Sequence, residues 1–81
     1  MNNTNLNAAE KWLTEMGIQT IARSTYIMVN RTDMMNVGGS DGTDETLIHA
    51  DVISALKRAV STKLFWNGKD DNYLYLDSFW K

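Results

Sequence analysis

The chain contains no cysteine and no proline. Without cysteine there is no disulfide framework, no thiolate metal ligand and no cysteine nucleophile, a composition that fits a reducing compartment such as the cytoplasm. Histidine is almost absent too: His49 is the only imidazole. The longest unbroken apolar runs, Tyr26 to Val29 and Tyr73 to Leu76, fall far short of the ~20 residues a membrane span needs. Met1-Asn2-Asn3-Thr4-Asn5 offers neither a basic region nor an apolar stretch, so no secretory signal is expected. Positive charge is also short, with 8 Lys and Arg against 10 Asp and Glu. The basic residues are scattered, and only Lys57 and Arg58 adjoin. That pattern argues against general affinity for phosphate backbones, which needs several cations acting together.

What remains is 81 residues, enough for one small domain spanning 1–81. Residues 1–6 read as a disordered tail. A first helix is expected behind Asn7, whose side chain can cap it while Glu10 closes a capping box. Ala9, Trp12, Leu13 and Met16 then fall on one face. Gly17 can take the left-handed conformation that ends a helix, with Ile18 folding back onto Leu13. From Ile18 to Asn30 the end of the segment, Thr25 to Val29, has the β-branched and aromatic character of a strand, while Ile18, Ile21, Ala22, Thr25 and Val29 also fit a helical spacing. Strand is preferred because Gly17 breaks the preceding helix and no new N-cap precedes Ile18. Residues 31–45 carry Gly38, Gly39 and Gly42 among small polar groups and read as a long flexible loop.

A second helix is expected from about Thr46 to Thr62. His49, Val52, Ile53, Leu56, Ala59 and Val60 form its stripe, and acids at its start with bases at its end suit the helix dipole. Leu64-Phe65-Trp66, a turn signalled by Asn67-Gly68, and a returning strand from Tyr73 to Asp77 complete a β-hairpin. The fold class is therefore α+β: helix, strand, loop, helix and hairpin, with a small antiparallel sheet packed on two helices. Trp12, Leu13, Met16, Tyr26, Met28, Val52, Ile53, Leu56 and Val60 are the expected core.

Catalytic and cofactor signatures are weak. His49 lies on an apolar stripe; metal binding would need further ligands with it, and Asp51, two positions on, does not share its helical face. Gly38-Gly39-Ser40-Asp41-Gly42 is not a dinucleotide-binding pattern, and Gly68-Lys69 is followed by Asp70, so it does not complete a phosphate-binding loop. Asp41, Asp44 and Glu45 lack the ligand spacing of a calcium loop. No metal, no cofactor and no enzymatic activity are expected.

Aromatic placement stands out. Phe65, Trp66, Tyr73, Tyr75, Phe79 and Trp80 fall in the last 17 positions. A thin sheet covered by helices on one side cannot bury both faces, so some of these rings are expected at the surface. Tyr and Trp are also the residues most enriched in binding hot spots. The expected function is a protein-binding module, an inhibitor or adaptor. Trp66, Tyr73, Tyr75 and Trp80 would give its apolar contacts, and Asp41, Asp44 and Glu45 would steer a basic partner. In size and style, though in no motif, the chain resembles the short acidic proteins with which phages and mobile elements block host enzymes or defence complexes, anti-CRISPR proteins among them. That resemblance implies a protein partner. Two other readings stay open. One is a nucleic-acid regulator with Trp66, Tyr73 and Tyr75 as a stacking platform beside Lys57, Arg58, Lys63 and Lys69; the other is a homodimer or larger homo-oligomer paired through the hairpin edge.

Overall fold

The first helix, α1, runs Thr4–Glu15 and buries Leu6, Ala9 and Leu13. It begins inside the expected tail, because Leu6, one turn before Ala9 and Glu10, is fully buried and extends the apolar stripe backwards. Asn7 therefore lies within the helix. The helix stops at Gly17, which takes φ +87°. Ile18 N–H donates to the Leu13 carbonyl at 3.0 Å and Gly17 N–H to that of Thr14 at 3.1 Å, the paired closure of a Schellman motif. Ile18 and Leu13 are both buried, which supplies the apolar contact that goes with it. The computed structural model describes residues 4–39 and 44–79.

Residues 18–30 form two strands in place of one, β1 (Thr20–Ala22) and β2 (Ile27–Asn30). They pair antiparallel, with Ile21 opposite Met28. The second strand leads straight into α2, Arg31–Gly38, where the sequence reads as a loop. Asn30 caps this helix by accepting the Asp33 N–H at 2.9 Å, and Met34 anchors it in the core. Its eight residues carry too short an apolar stripe to stand out from sequence, and tertiary contacts hold it in place. The third helix, α3, runs Glu45–Ala59 and is capped by Asp44, whose side chain accepts the Thr46 N–H at 2.7 Å.

The last strands are β3 (Leu64–Lys69) and β4 (Tyr73–Ser78). Asn67-Gly68, expected as their turn, lies inside β3. Trp66 pairs with Leu76 and Lys69 with Leu74, so Asn67 and Gly68 together oppose Tyr75 as a β-bulge. Gly68 takes φ +97° there. The chain reverses instead at Asp70, whose Oδ1 accepts the N–H groups of Asn72 and Tyr73 at 2.8 and 2.7 Å. An Asx turn of this kind outcompetes the Asn-Gly signal, because one carboxylate oxygen satisfies two donors.

All four strands form one antiparallel sheet in the order β1-β2-β4-β3, and the chain is an α+β fold. Ile27, Val29, Leu64, Leu74 and Leu76 pack with Leu6, Leu13, Met34, Ile48 and Leu56 of the helices in a single core. The expected core is therefore shifted by one residue in β2. Ile27 and Val29 point inward, while Tyr26 and Met28 are half-buried on the other side; with period-2 alternation, one step of parity exchanges the whole set. Met16, also expected inside, is 46% exposed, because Gly17 has already turned the chain.

Candidate functional site

The helices share one core with one face of the sheet, which leaves the other face open among the described residues. Alternation along each strand decides what stands there. Tyr73, Tyr75 and Asp77 of β4 alternate with the buried Leu74, Leu76 and Ser78. Across the strands, Ile21 of β1 pairs with Met28 of β2, and Met28 with Tyr75 of β4, in one apolar row. Phe65 of β3 lies opposite Asp77.

Two ring pairs organise this face. Tyr26 and Tyr75 meet at a centroid distance of 5.6 Å, tilted by 55°. Phe65 and Phe79 stack at 4.4 Å and 27°, and Phe79 remains 58% exposed. Such tilted and offset contacts fix ring positions without covering the rings. Tyr75 is further fixed by its hydroxyl, which donates to Asp70 Oδ2 at 2.8 Å. That bond raises the Tyr75 pKa above its ordinary value. The Asn72 and Tyr73 N–H groups, then Tyr75, hold the Asp70 carboxyl below its own. The bulge lies beside the site: Gly68 is favoured there by its φ of +97°, and a Cβ at this position would be in ordinary contact with Tyr75 Cδ2 at 3.6 Å.

The residues expected to bind a partner are divided by this arrangement. Tyr73 and Tyr75 are on the open face. Trp66 is on the opposite one, packed against the core, with its indole N–H donating to the His49 carbonyl at 2.8 Å. Asp44 caps α3, and Glu45 is engaged by Arg31. Asp41 and Trp80 lie outside the described residues. Tyr26, Met28 and Ile21 join the face without having been expected there; the alternation from Tyr26 to Asn30 is the signal that places two of them, once the buried parity is known.

A comparison of the chain with protein-family models, with curated proteins and with solved structures finds no match. The residues alone must carry the functional reading.

A second feature lies at the sheet's end. Arg31 donates from Nε and Nη2 to the two oxygens of Glu45 at 2.7 and 2.9 Å. Its Nη1 reaches the carbonyls of Asp70 and Asp71 at 2.6 and 3.1 Å, and its backbone N–H donates to Asn72. One guanidinium thus ties the starts of α2 and α3 to the β3–β4 turn, using the planar fork that lysine lacks. The Arg31 bond holds the Glu45 carboxyl at about 2, and that same bond raises Arg31. Arg31, Thr32, Met35, Glu45 and Asp71 line an open cleft of about 220 Å³ here. Arg31 is already engaged by Glu45 and the turn carbonyls, so it serves as a brace in this cleft.

His49, one turn beyond Glu45, is 8% exposed. Its Nε2 stands 3.3 Å from Glu45 Oε1 but makes no aligned hydrogen bond, and burial lowers its pKa. Its ring is tilted against Trp66 at 6.3 Å. No group of three or more metal-ligating side chains occurs among the described residues, and no helix among them is long and apolar enough to cross a membrane.

Proposed function

We propose that this chain is a non-enzymatic protein-binding module, a small inhibitor or adaptor, and that it captures its partner on the open face of its sheet. The observation that carries the reading is the row Ile21, Met28 and Tyr75, flanked by Tyr26, Phe65 and Phe79 on a face that no described helix covers. Fixed aromatic side chains bring large contact area at low entropic cost, which is what binding hot spots use. A host enzyme or defence complex is the class of target that the chain's size and acidity fit.

The rival readings draw less support from the same geometry. Trp66 faces the helices and Lys57 and Arg58 sit on α3, across the sheet from Tyr73 and Tyr75, so these groups do not line one nucleic-acid track. The bulge at Asn67-Gly68 interrupts edge strand β3, which disfavours pairing of that edge with a second copy.

The test is affinity capture from host lysate with nuclease treatment, comparing the native chain with Tyr75→Ala and Phe79→Ala. Retention of one stoichiometric protein by the native chain, and its loss from both folded variants, is expected. Equal recovery by all three would overturn the reading.

A further inference from the structure

The structure changes which carboxylates are free to meet a partner. Asp44 is a helix cap and Glu45 is neutralised by Arg31. By contrast, Asp70, Asp71 and Asp77 have no cationic side chain within 4.0 Å among the described residues. Asp77 projects on the open face beside Phe65, and among the described residues its carboxylate accepts the Ser78 N–H at 2.7 Å and Asn67 Nδ2 at 3.3 Å. Asp70 borders the same face through the Tyr75 hydroxyl. Three carboxylates thus stand on the β3–β4 hairpin beside Lys69 and beside Arg31, which is bonded to the Asp70 and Asp71 carbonyls, and the hydrogen bonds to the Asp70 and Asp77 carboxylates come from neutral donors.

We propose that the open face docks an arginine-bearing segment of a protein partner, with guanidinium groups lying on the Tyr75, Tyr26 and Phe65 rings and pairing with Asp77 and Asp70. The inference rests on the protein-binding reading above and adds the chemistry of the partner. Arginine is favoured over lysine because its planar, weakly hydrated cation can stack on a ring and pair with a carboxylate together. Aromatic rings bordered by Asp70 and by Asp77, the latter with no cation within pairing distance among the described residues, offer both contacts on one surface. A phosphate backbone would meet these carboxylates as like charge.

The test uses the full-length chain, isotope-labelled for amide spectra, and three synthetic nine-residue peptides alternating valine with arginine, lysine or glutamate. The arginine peptide is expected to shift the amides of Ile27–Asn30 and Tyr73–Asp77, with the lysine peptide weaker and the glutamate peptide silent. The double variant Asp70→Asn/Asp77→Asn keeps the oxygens that accept the turn N–H groups, so it should remain folded; its affinity should fall about 5-fold or more, as should that of the native chain when salt rises from 0.1 to 0.5 M. Equal binding of all three peptides, or no shift with the arginine peptide at millimolar concentration, would overturn this inference and leave the capture experiment to judge the protein-binding reading by itself. Shifts of the same amides on diluting the protein alone, or on adding oligothymidylate, would also overturn it, by assigning the face to a second copy or to nucleic acid.

Discussion

Replacing Glu45 by glutamine removes the charge at the centre of the Arg31 brace. The carboxyl is held at about 2 against an ordinary 4.5, chiefly by its hydrogen bonds with Arg31. A lowered folded-state value means that the unfolded chain takes up the proton more readily. The contribution is therefore complete above pH 4.5 and is lost as the pH falls through the interval towards 2. Full linkage at 1.36 kcal/mol per pKa unit would give about 3 kcal/mol. The Glu45 side chain is 32% exposed, however, and solvent screening reduces such a pair to about 1 kcal/mol. In a domain of this size that corresponds to a melting temperature lower by about 4 to 8 °C. Thermal melts followed by circular dichroism at pH 7, 4 and 2.5 would measure it. The gap between native chain and Glu45→Gln should be full at pH 7 and narrow steadily below pH 4.5. A gap under about 2 °C at pH 7, or one that stays constant into acid, would refute the assignment of this stability to the Arg31–Glu45 pair.

Three further outcomes follow from the geometry. Leu76→Ala, a fully buried position on a central strand, should cost about 2 to 5 kcal/mol, a large part of the ~4 to 12 kcal/mol expected for a chain of this length; a cooperative urea transition with an unmoved midpoint would show that the site does not pack as described. Burial lowers the His49 pKa, so the unfolded chain charges first and stability should decline as the pH drops below 6.5; urea midpoints of His49→Gln should lose that part of the slope, and an unchanged slope would place its origin elsewhere. Trp66→Phe keeps the ring against the core but removes the 2.8 Å bond to the His49 carbonyl, so a loss of about 1 kcal/mol is expected in denaturant titration, with partner capture unaffected. Capture that failed in this variant while its fold persisted would put Trp66 in the binding surface after all.

How much the sequence determined follows from the range of each interaction. The end of α1 is local: Leu13, Gly17 and Ile18 lie within six positions, and the bonds they make are the ones their order suggests. The stripe and end charges of α3, and the existence of the last hairpin, are equally local in origin. The short helix α2 was not legible, because its fixation depends on Arg31 reaching Glu45 14 positions away and the Asp70 and Asp71 carbonyls 39 and 40 away. The hairpin turn was misplaced for a different reason: Asn67-Gly68 has the backbone freedom for either a turn or a bulge, and the Asp70 side chain decided between them.

For the candidate site, composition showed that aromatic residues exceed what a one-sided sheet can bury, and alternation showed that Tyr73 and Tyr75 share a face. Tertiary structure decided which face. Once Leu74 and Leu76 pack under the helices and β2 docks beside β4 with Met28 opposite Tyr75, the open face acquires Tyr26, Met28 and Phe65 and loses Trp66. It also decided which acids carry free charge. A carboxylate's availability depends on the cation that folding brings beside it, and for Glu45 that cation is Arg31, whereas none among the described residues comes within pairing distance of Asp77. Side-chain type and period are written in the chain, but partnership across strands and between helices exists only after the core has closed.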